Sequence, residues 1–386
     1  VHRIEDPLSG LDNIQRALRH FERISAAKGM TRRNFLKVSG LALAVAALPY
    51  GCKAPRAGFD EPVDDVIRLM IPPEPSGEIS VGLVGKGEIA EMVHKAIEMA
   101  GGLNEIHSRD TVAIKPNLTT GYSLQYRVTT HPEVLRAVIR EVKSRTGPGN
   151  ITVTEASSYM DPSTLEVAKK VGVYDVVRSE GVKFLAWEDE EYVEVGSDGF
   201  KKVYSRLHIP RCLTDSRFDH FINVPMLKNH DAITYANAEY TCCIKNHVGV
   251  LSRQDRTGAG GRGIHQNNLG DQVAELNLAV PAHTMNVVDA MSIILAGGPA
   301  SRHMQAADPG LILASKDRVA CDSLGVAVLR YYASQMGIKR PYVNKSVWEQ
   351  AQITRAQELN LGRSKENIGV ESYGVDEIDG ILSKWK

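Results

Sequence analysis

Thr111-Val112-Ala113-Ile114-Lys115-Pro116-Asn117 is the stretch on which the fold turns. Its apolar run reads as a short strand that ends abruptly in polar residues. Downstream, His131–Val142 has helical spacing, with Val134, Leu135, Val138, Ile139 and Val142 on one face. Ile151–Thr154 is the next apolar run and ends at Glu155, and Ser163–Val171 is again helical. Upstream, the run Ile79–Val84 precedes a helix over Glu88–Ala100 that stops at Gly101-Gly102. Strand, helix and strand in alternation, with strands apolar throughout, imply right-handed crossovers and a mostly parallel sheet buried between helices.

The pattern changes over 182–209. Phe184–Trp187, Tyr192–Val195 and Val203–Ile209 are short and separated by acidic or Gly-containing turns, as in a small antiparallel insertion. The α/β alternation then resumes. Phe218–Val224, Met285–Val288 and Leu311–Ala314 are strands, and Leu269–Leu278, Ser323–Met336 and Val347–Leu359 are helices. The α/β domain is expected over 79–386.

Composition narrows the function classes. The 386 residues carry 46 Lys plus Arg against 46 Asp plus Glu, a formal charge of zero, which argues against nucleic acid as a main partner. With 43% hydrophobic and 24% charged residues the chain is ordinarily globular, and its five cysteines are too few for a disulfide scaffold. No apolar run reaches the roughly 20 residues that span a bilayer as a helix.

The N-terminus carries an address. Thr31-Arg32-Arg33-Asn34-Phe35-Leu36-Lys37, followed by the apolar run Val38–Leu48, resembles a twin-arginine export signal, with Arg32 and Arg33 as its charged pair. The expected partner is the twin-arginine translocase, and the expected location is the periplasm or the outer face of the cell membrane. Met30 stands where an initiator would, so 1–29 are either an extension or an over-long start, and 30–52 the signal. Leu48-Pro49-Tyr50-Gly51-Cys52 resembles a lipoprotein cleavage box, which makes Cys52 a candidate lipidation site and a membrane a candidate partner; cleavage nearby without lipidation is the alternative. Residues 53–78 read as a proline- and charge-rich linker.

Polar residues recur where strands end. Lys115 and Asn117 follow the first quoted strand, Glu155 another, and Lys228-Asn229-His230 follow Phe221–Val224 and Pro225. Asp289 follows Met285–Val288, and Asp317 follows Leu311–Ala314. In a parallel sheet such ends share one edge, where α/β proteins bind ligands. Lys245 and Asn246 lie in a second dense patch, Tyr240–Gly249, whose adjacent Cys242 and Cys243 lack zinc or iron–sulfur spacing and read as buried thiols. Gly258–Gly263 spells G-x-G-x-x-G without a preceding strand and reads first as a flexible loop; flanked by Arg256, Arg262 and His265, it also suits a loop closing over an anionic ligand.

These residues also fit a family pattern. Lys115-Pro116-Asn117-Leu118, Thr130-His131-Pro132, Glu155-Ala156-Ser157, Ile222–His230, Lys245-Asn246 with Gly249, Asn286–Asp289, Gly298-Pro299 and Leu313–Asp317 with Asp322 follow in order. The set resembles the domain of unknown function 362 family over about Ile79–Leu382. Some members carry ferredoxin-type cysteine runs, which this chain lacks.

The expected function is a metal- or cofactor-assisted enzyme acting on a small anionic substrate. Lys115, Lys228 and Lys245 are its candidate catalytic residues, and Asn117, Asn246, Arg262 and His265 its candidate ligand-binding residues. Glu155, His230, Asp289 and Asp317 would hold a divalent metal such as Mg, Mn, Fe or Zn. The alternative is a non-catalytic exported binding lipoprotein, or an assembly or structural subunit of a redox complex.

Overall fold

A computed structural model of the chain describes residues 66–120, 128–158, 163–203, 205–230, 240–257, 264, 268–298 and 304–386. The described residues all belong to one compact unit, Asp64–Lys386. Arg32, Arg33, Cys52, Arg262 and His265 lie outside the described residues.

The strands in chain order are β1 (Ile67–Leu69), β2 (Ile79–Val84), β3 (Val112–Pro116), β4 (Ile151–Glu155), β5 (Lys183–Ala186), β6 (Tyr192–Ser197) and β7 (Arg206–Pro210). They continue with β8 (His220–Val224), β9 (Met226–Asn229), β10 (Tyr240–Thr241), β11 (Met285–Ala296), β12 (Gln305–Ala307), β13 (Leu311–Ser315) and β14 (Ile368–Tyr373). The main sheet has eleven strands, ordered β14-β2-β13-β11-β8-β3-β4-β5, with β9 and β12 paired to β11 and β10 paired to β9. From β11 to β5 all neighbours are parallel, and β14 is parallel to β2. β13 alone along that order runs against its neighbours β11 and β2. The chain is thus α/β with a mostly parallel sheet, as the alternation of elements implies.

Each face of the sheet has its own apolar layer. Val112, Ile114, Ile222 and Met285 pack with the buried faces of helices Ile89–Met99, Pro132–Lys143 and Val173–Glu180. Ala113, Phe221 and Val288 face the opposite layer, which holds helices Leu269–Leu276 and Arg318–Gln335. Burial on both faces explains why the strands carry no polar alternation. Helix Pro132–Lys143 starts where the sequence suggests: His131 is its N-cap, its ring accepting from Glu133 N, and Pro132 takes the first-turn position.

Four expectations shift. Phe184–Ala186 is not part of an insertion, because β5 pairs parallel with β4 at the edge of the main sheet. The antiparallel pair is β6 with β7, and β1, inside the expected linker, joins it parallel to β6 as a separate three-stranded sheet. β11 does not stop at Val288 but continues to Ala296, held by β9 and β12. Val173–Glu180 forms a helix that no sequence signal had marked.

Candidate functional site

The ends of β3, β4 and β8 lie on one edge of the sheet, and the segment Lys245–Val250, a 3₁₀ helix, packs over them. Lys115 is fully buried, and its Nζ donates to Glu155 Oε2 at 2.6 Å and to the Asn246 carbonyl at 2.7 Å. Glu155 also accepts from the Ala156 backbone N–H at 2.9 Å. Burial pushes the Glu155 carboxyl up and the Lys115 amine down, and each opposes the other's shift by attraction. Gly249 packs directly on this pair. A Cβ there would stand 2.1 Å from Glu155 Oε1 and 2.8 Å from the Ala156 carbonyl, so only glycine allows the approach.

A row of amides extends from the pair. Lys115 is in register with Asn223, Asn223 with Asn286, and Asn286 with Ser315. Asn246 Nδ2 donates to Asn223 Oδ1 at 2.8 Å, Asn223 Nδ2 to Asn286 Oδ1 at 3.1 Å, and Asn286 Nδ2 to the Ser315 carbonyl at 3.0 Å. Asn117 Nδ2 donates to Asn246 Oδ1 at 2.7 Å. Asn223 and Asn286 were not among the candidate residues, although an asparagine inside an otherwise apolar central strand is the signal that could have marked them.

The three lysines differ in their surroundings. Lys228, buried on β9, donates to Asn117 Oδ1 and Thr119 Oγ1, each at 2.6 Å, and to the Val128 carbonyl. Those acceptors engage all three of its protons. Burial first and the charge of Lys245 next push the Lys228 amine well down, while Glu155 and Asp289 favour its charged form. Lys245 is only 5% exposed, and among the described residues nothing accepts a hydrogen bond from it or pairs with its charge. Desolvation alone brings its amine down to about 8.

The expected metal ligands do not gather. Asp289 lies within β11 near Lys228, but its oxygens accept from the backbone N–H groups of His131 at 2.7 Å and Met291 at 3.1 Å. His230 follows β9, half-buried. Asp317 sits at the opposite edge of the sheet, because β13 runs antiparallel. There it caps helix Arg318–Gln335, accepting from Ala320 N at 2.9 Å, and it also accepts from Arg363 N at 2.9 Å.

Among the described residues, the three potential ligands within 4.8 Å of one another are Cys242, Cys243 and Asp322. Burial holds the Cys242 thiol up at about 12 and the Asp322 carboxyl at about 6, and Asp322 already accepts from Ile244 N and Gln352 Nε2. A metal there would have to displace protons from both thiols, so protonated buried thiols describe this cluster.

The comparisons agree with the family pattern. Residues 112–327 match the family described as Domain of unknown function (DUF362), and the chain belongs to that family. It is also 26% identical, over 246 residues, to the Thylakoid-associated protein sll1697 of Synechocystis sp. (strain ATCC 27184 / PCC 6803 / Kazusa), which covers 63% of this chain and 71% of that protein. The family match contains all of the lysine and asparagine network and leaves β1, β2 and β14 outside it.

Proposed function

We propose that the protein is an exported enzyme acting on a small anionic substrate at the carboxyl edge of the sheet, with the Lys245 amine as proton acceptor. The observation that carries this is the unpaired burial of Lys245. An ordinary lysine is almost wholly protonated at neutral pH, whereas an amine of pKa about 8 is neutral in roughly a tenth of molecules at pH 7 and sits in the range suited to general base catalysis. Lys115 and Glu155 serve as positioning residues, since their pair holds the Asn246 carbonyl and with it the segment bearing Lys245. Lys228 serves as a further positioning residue, since its amine ties Asn117 and Thr119 to this edge.

Turnover of a panel of small carboxylates and phosphate esters, followed by mass spectrometry, tests the reading. The wild type should convert at least one member, and Lys245→Met should abolish conversion while retaining the wild-type circular dichroism spectrum. Undiminished turnover by Lys245→Met, or binding without turnover by the wild type, would overturn it.

Export rests on Arg32-Arg33 ahead of Val38–Leu48, and a relative named as thylakoid-associated supports a membrane-proximal destination. Arg32→Lys with Arg33→Lys should leave the precursor in the cytoplasm on cell fractionation, and unchanged export would refute the route. No helix among the described residues is long and apolar enough to cross a membrane. A lipid on Cys52 is the proposed anchor, because Gly51-Cys52 closes the apolar run Val38–Leu48. Mass spectrometry of the mature N-terminus checks this, and a free amino terminus at another residue would exclude it.

A further inference from the structure

A cavity of about 330 Å³ opens where β4 ends, two residues beyond Glu155. Ser157, Ser163, Tyr192, Ser252, Arg253 and Arg256 are among the side chains lining it. Its volume is at the lower end of the range for small-molecule pockets, about 300–1,000 Å³.

Arg256 is the unusual member. It is only 7% exposed, and its Nη1 donates to the Ser157 carbonyl at 2.6 Å and the Ala156 carbonyl at 3.4 Å. Its Nε is buried with no acceptor among the described residues, and no carboxylate there forms an ion pair with it. Glu155 and Glu188 favour its charged form without touching it, so the guanidinium is taken out of water with no direct ion pair, a cost that an anionic ligand would relieve.

The rest of the wall offers donors. Glu188, the carboxylate in the cavity, already accepts from Thr164 N at 2.6 Å and Thr164 Oγ1 at 2.7 Å. The Ser163 hydroxyl accepts from Glu166 N and the Ser252 hydroxyl from Asp255 N, each at 3.1 Å, and neither proton has an acceptor among the described residues. Burial holds the Tyr192 phenol up at about 12, so it keeps its proton. The cavity is therefore lined by two guanidinium groups, Arg253 and the buried Arg256, and by hydroxyl donors from three separate segments. A planar carboxylate would satisfy one guanidinium, but donors arriving from several directions suit a tetrahedral oxyanion.

We infer that this cavity binds the phosphoryl group of a small phosphate monoester, with Arg256 as its charge partner and Ser163 and Ser252 as hydroxyl donors. This goes beyond the reading of Lys245 and does not depend on it, because none of these groups touches the Lys245 amine.

Isothermal titration of the full chain with glycerol 3-phosphate and with inorganic phosphate tests the site. Both should bind, the ester more tightly if the remaining cavity volume takes its organic part. Arg256→Met should weaken both by about tenfold or more, the effect of losing a charged hydrogen bond. Ser163→Ala, a milder change that preserves the charge, should weaken both by about threefold to tenfold. Asp317→Ala, at the opposite edge of the sheet, should leave binding unchanged, which separates loss of this site from a general loss of stability. Absence of binding by the wild type at millimolar ligand, or equal affinity of the wild type and both cavity variants, would overturn the assignment.

Discussion

The two edges of the same sheet treat their charges in opposite ways. At the amino edge of the parallel strands, carboxylates meet backbone donors. Asp219 accepts from Thr111 N and Oγ1, each at 2.8 Å, Asp110 from His107 N at 2.7 Å, and Asp317 from Ala320 N and Arg363 N. Those backbone bonds hold the Asp110 and Asp219 carboxyls below their usual range. At the carboxyl edge, burial raises Glu155 and Asp289 and lowers Lys228 and Lys245, while Lys245 has no partner and Arg256 no direct ion pair among the described residues. One edge is built for stability. The other holds buried cations, Lys245 and Arg256, that no carboxylate among the described residues contacts, an arrangement that costs stability and that an anionic ligand would relieve.

The largest effect should come from breaking the pair that organises the carboxyl edge. Glu155→Ala would leave the Lys115 ammonium buried without its counter-charge, and denaturant unfolding should show a loss of about 3–5 kcal/mol. Lys115→Met combined with Glu155→Leu should recover most of that loss, since an apolar pair of similar volume avoids desolvating charge. A double variant as unstable as the single one would show that the pair is not the cause. Gly249→Ala drives a methyl group into Glu155 and the Ala156 backbone, and the same assay should show about 1–3 kcal/mol lost, or more.

Lys245→Met should act in the other direction. The folded pKa of about 8 lies below the unfolded value, so the unfolded chain binds more protons between pH 8 and about 10.4. Wild-type stability therefore rises with pH through that window and carries the full penalty below it. The variant should be more stable than the wild type by about 3 kcal/mol at pH 7, with the gain vanishing as pH passes about 10.4. A gain independent of pH would point to packing instead of charge.

The smallest effect belongs to the amino edge. Asp317→Ala removes a helix cap and should cost about 1 kcal/mol in the same unfolding assay. Binding of glycerol 3-phosphate should be unaffected. Impaired binding would mean that the two edges are coupled and the contrast between them too sharp.

Much of the carboxyl edge was legible because burial on both faces makes the strands apolar to their ends. Val112–Ile114 and Ile151–Thr154 are followed at once by Lys115 and Glu155, and parallel pairing brings the two together. Leu311–Ala314 gives the same local signal before Asp317, yet β13 is reversed. Nothing within a five-residue strand reports its direction, which is set by neighbours distant in sequence. Asp289 failed to mark a strand end for a similar reason: pairing with β9 and β12 carries β11 onward to Ala296. Arg256 was legible only as a flank of the Gly-rich loop suited to an anion, and its burial beside the end of β4 was not, since one arginine in a short polar helix looks solvated.

By itself the sequence determined the α/β class, the parallel strands β3, β4 and β8, and the gathering of Lys115 with Glu155, because periodicity and apolar runs are local consequences of burial. Tertiary structure alone decided which charges are paired. It turned Asp317 to the far edge, saturated Lys228 with three acceptors, and left Lys245 and the Arg256 Nε without partners among the described residues. The physical reason is that compensation of a buried charge depends on which atoms from remote segments arrive within about 3 Å of it, and composition and spacing along the chain do not fix that.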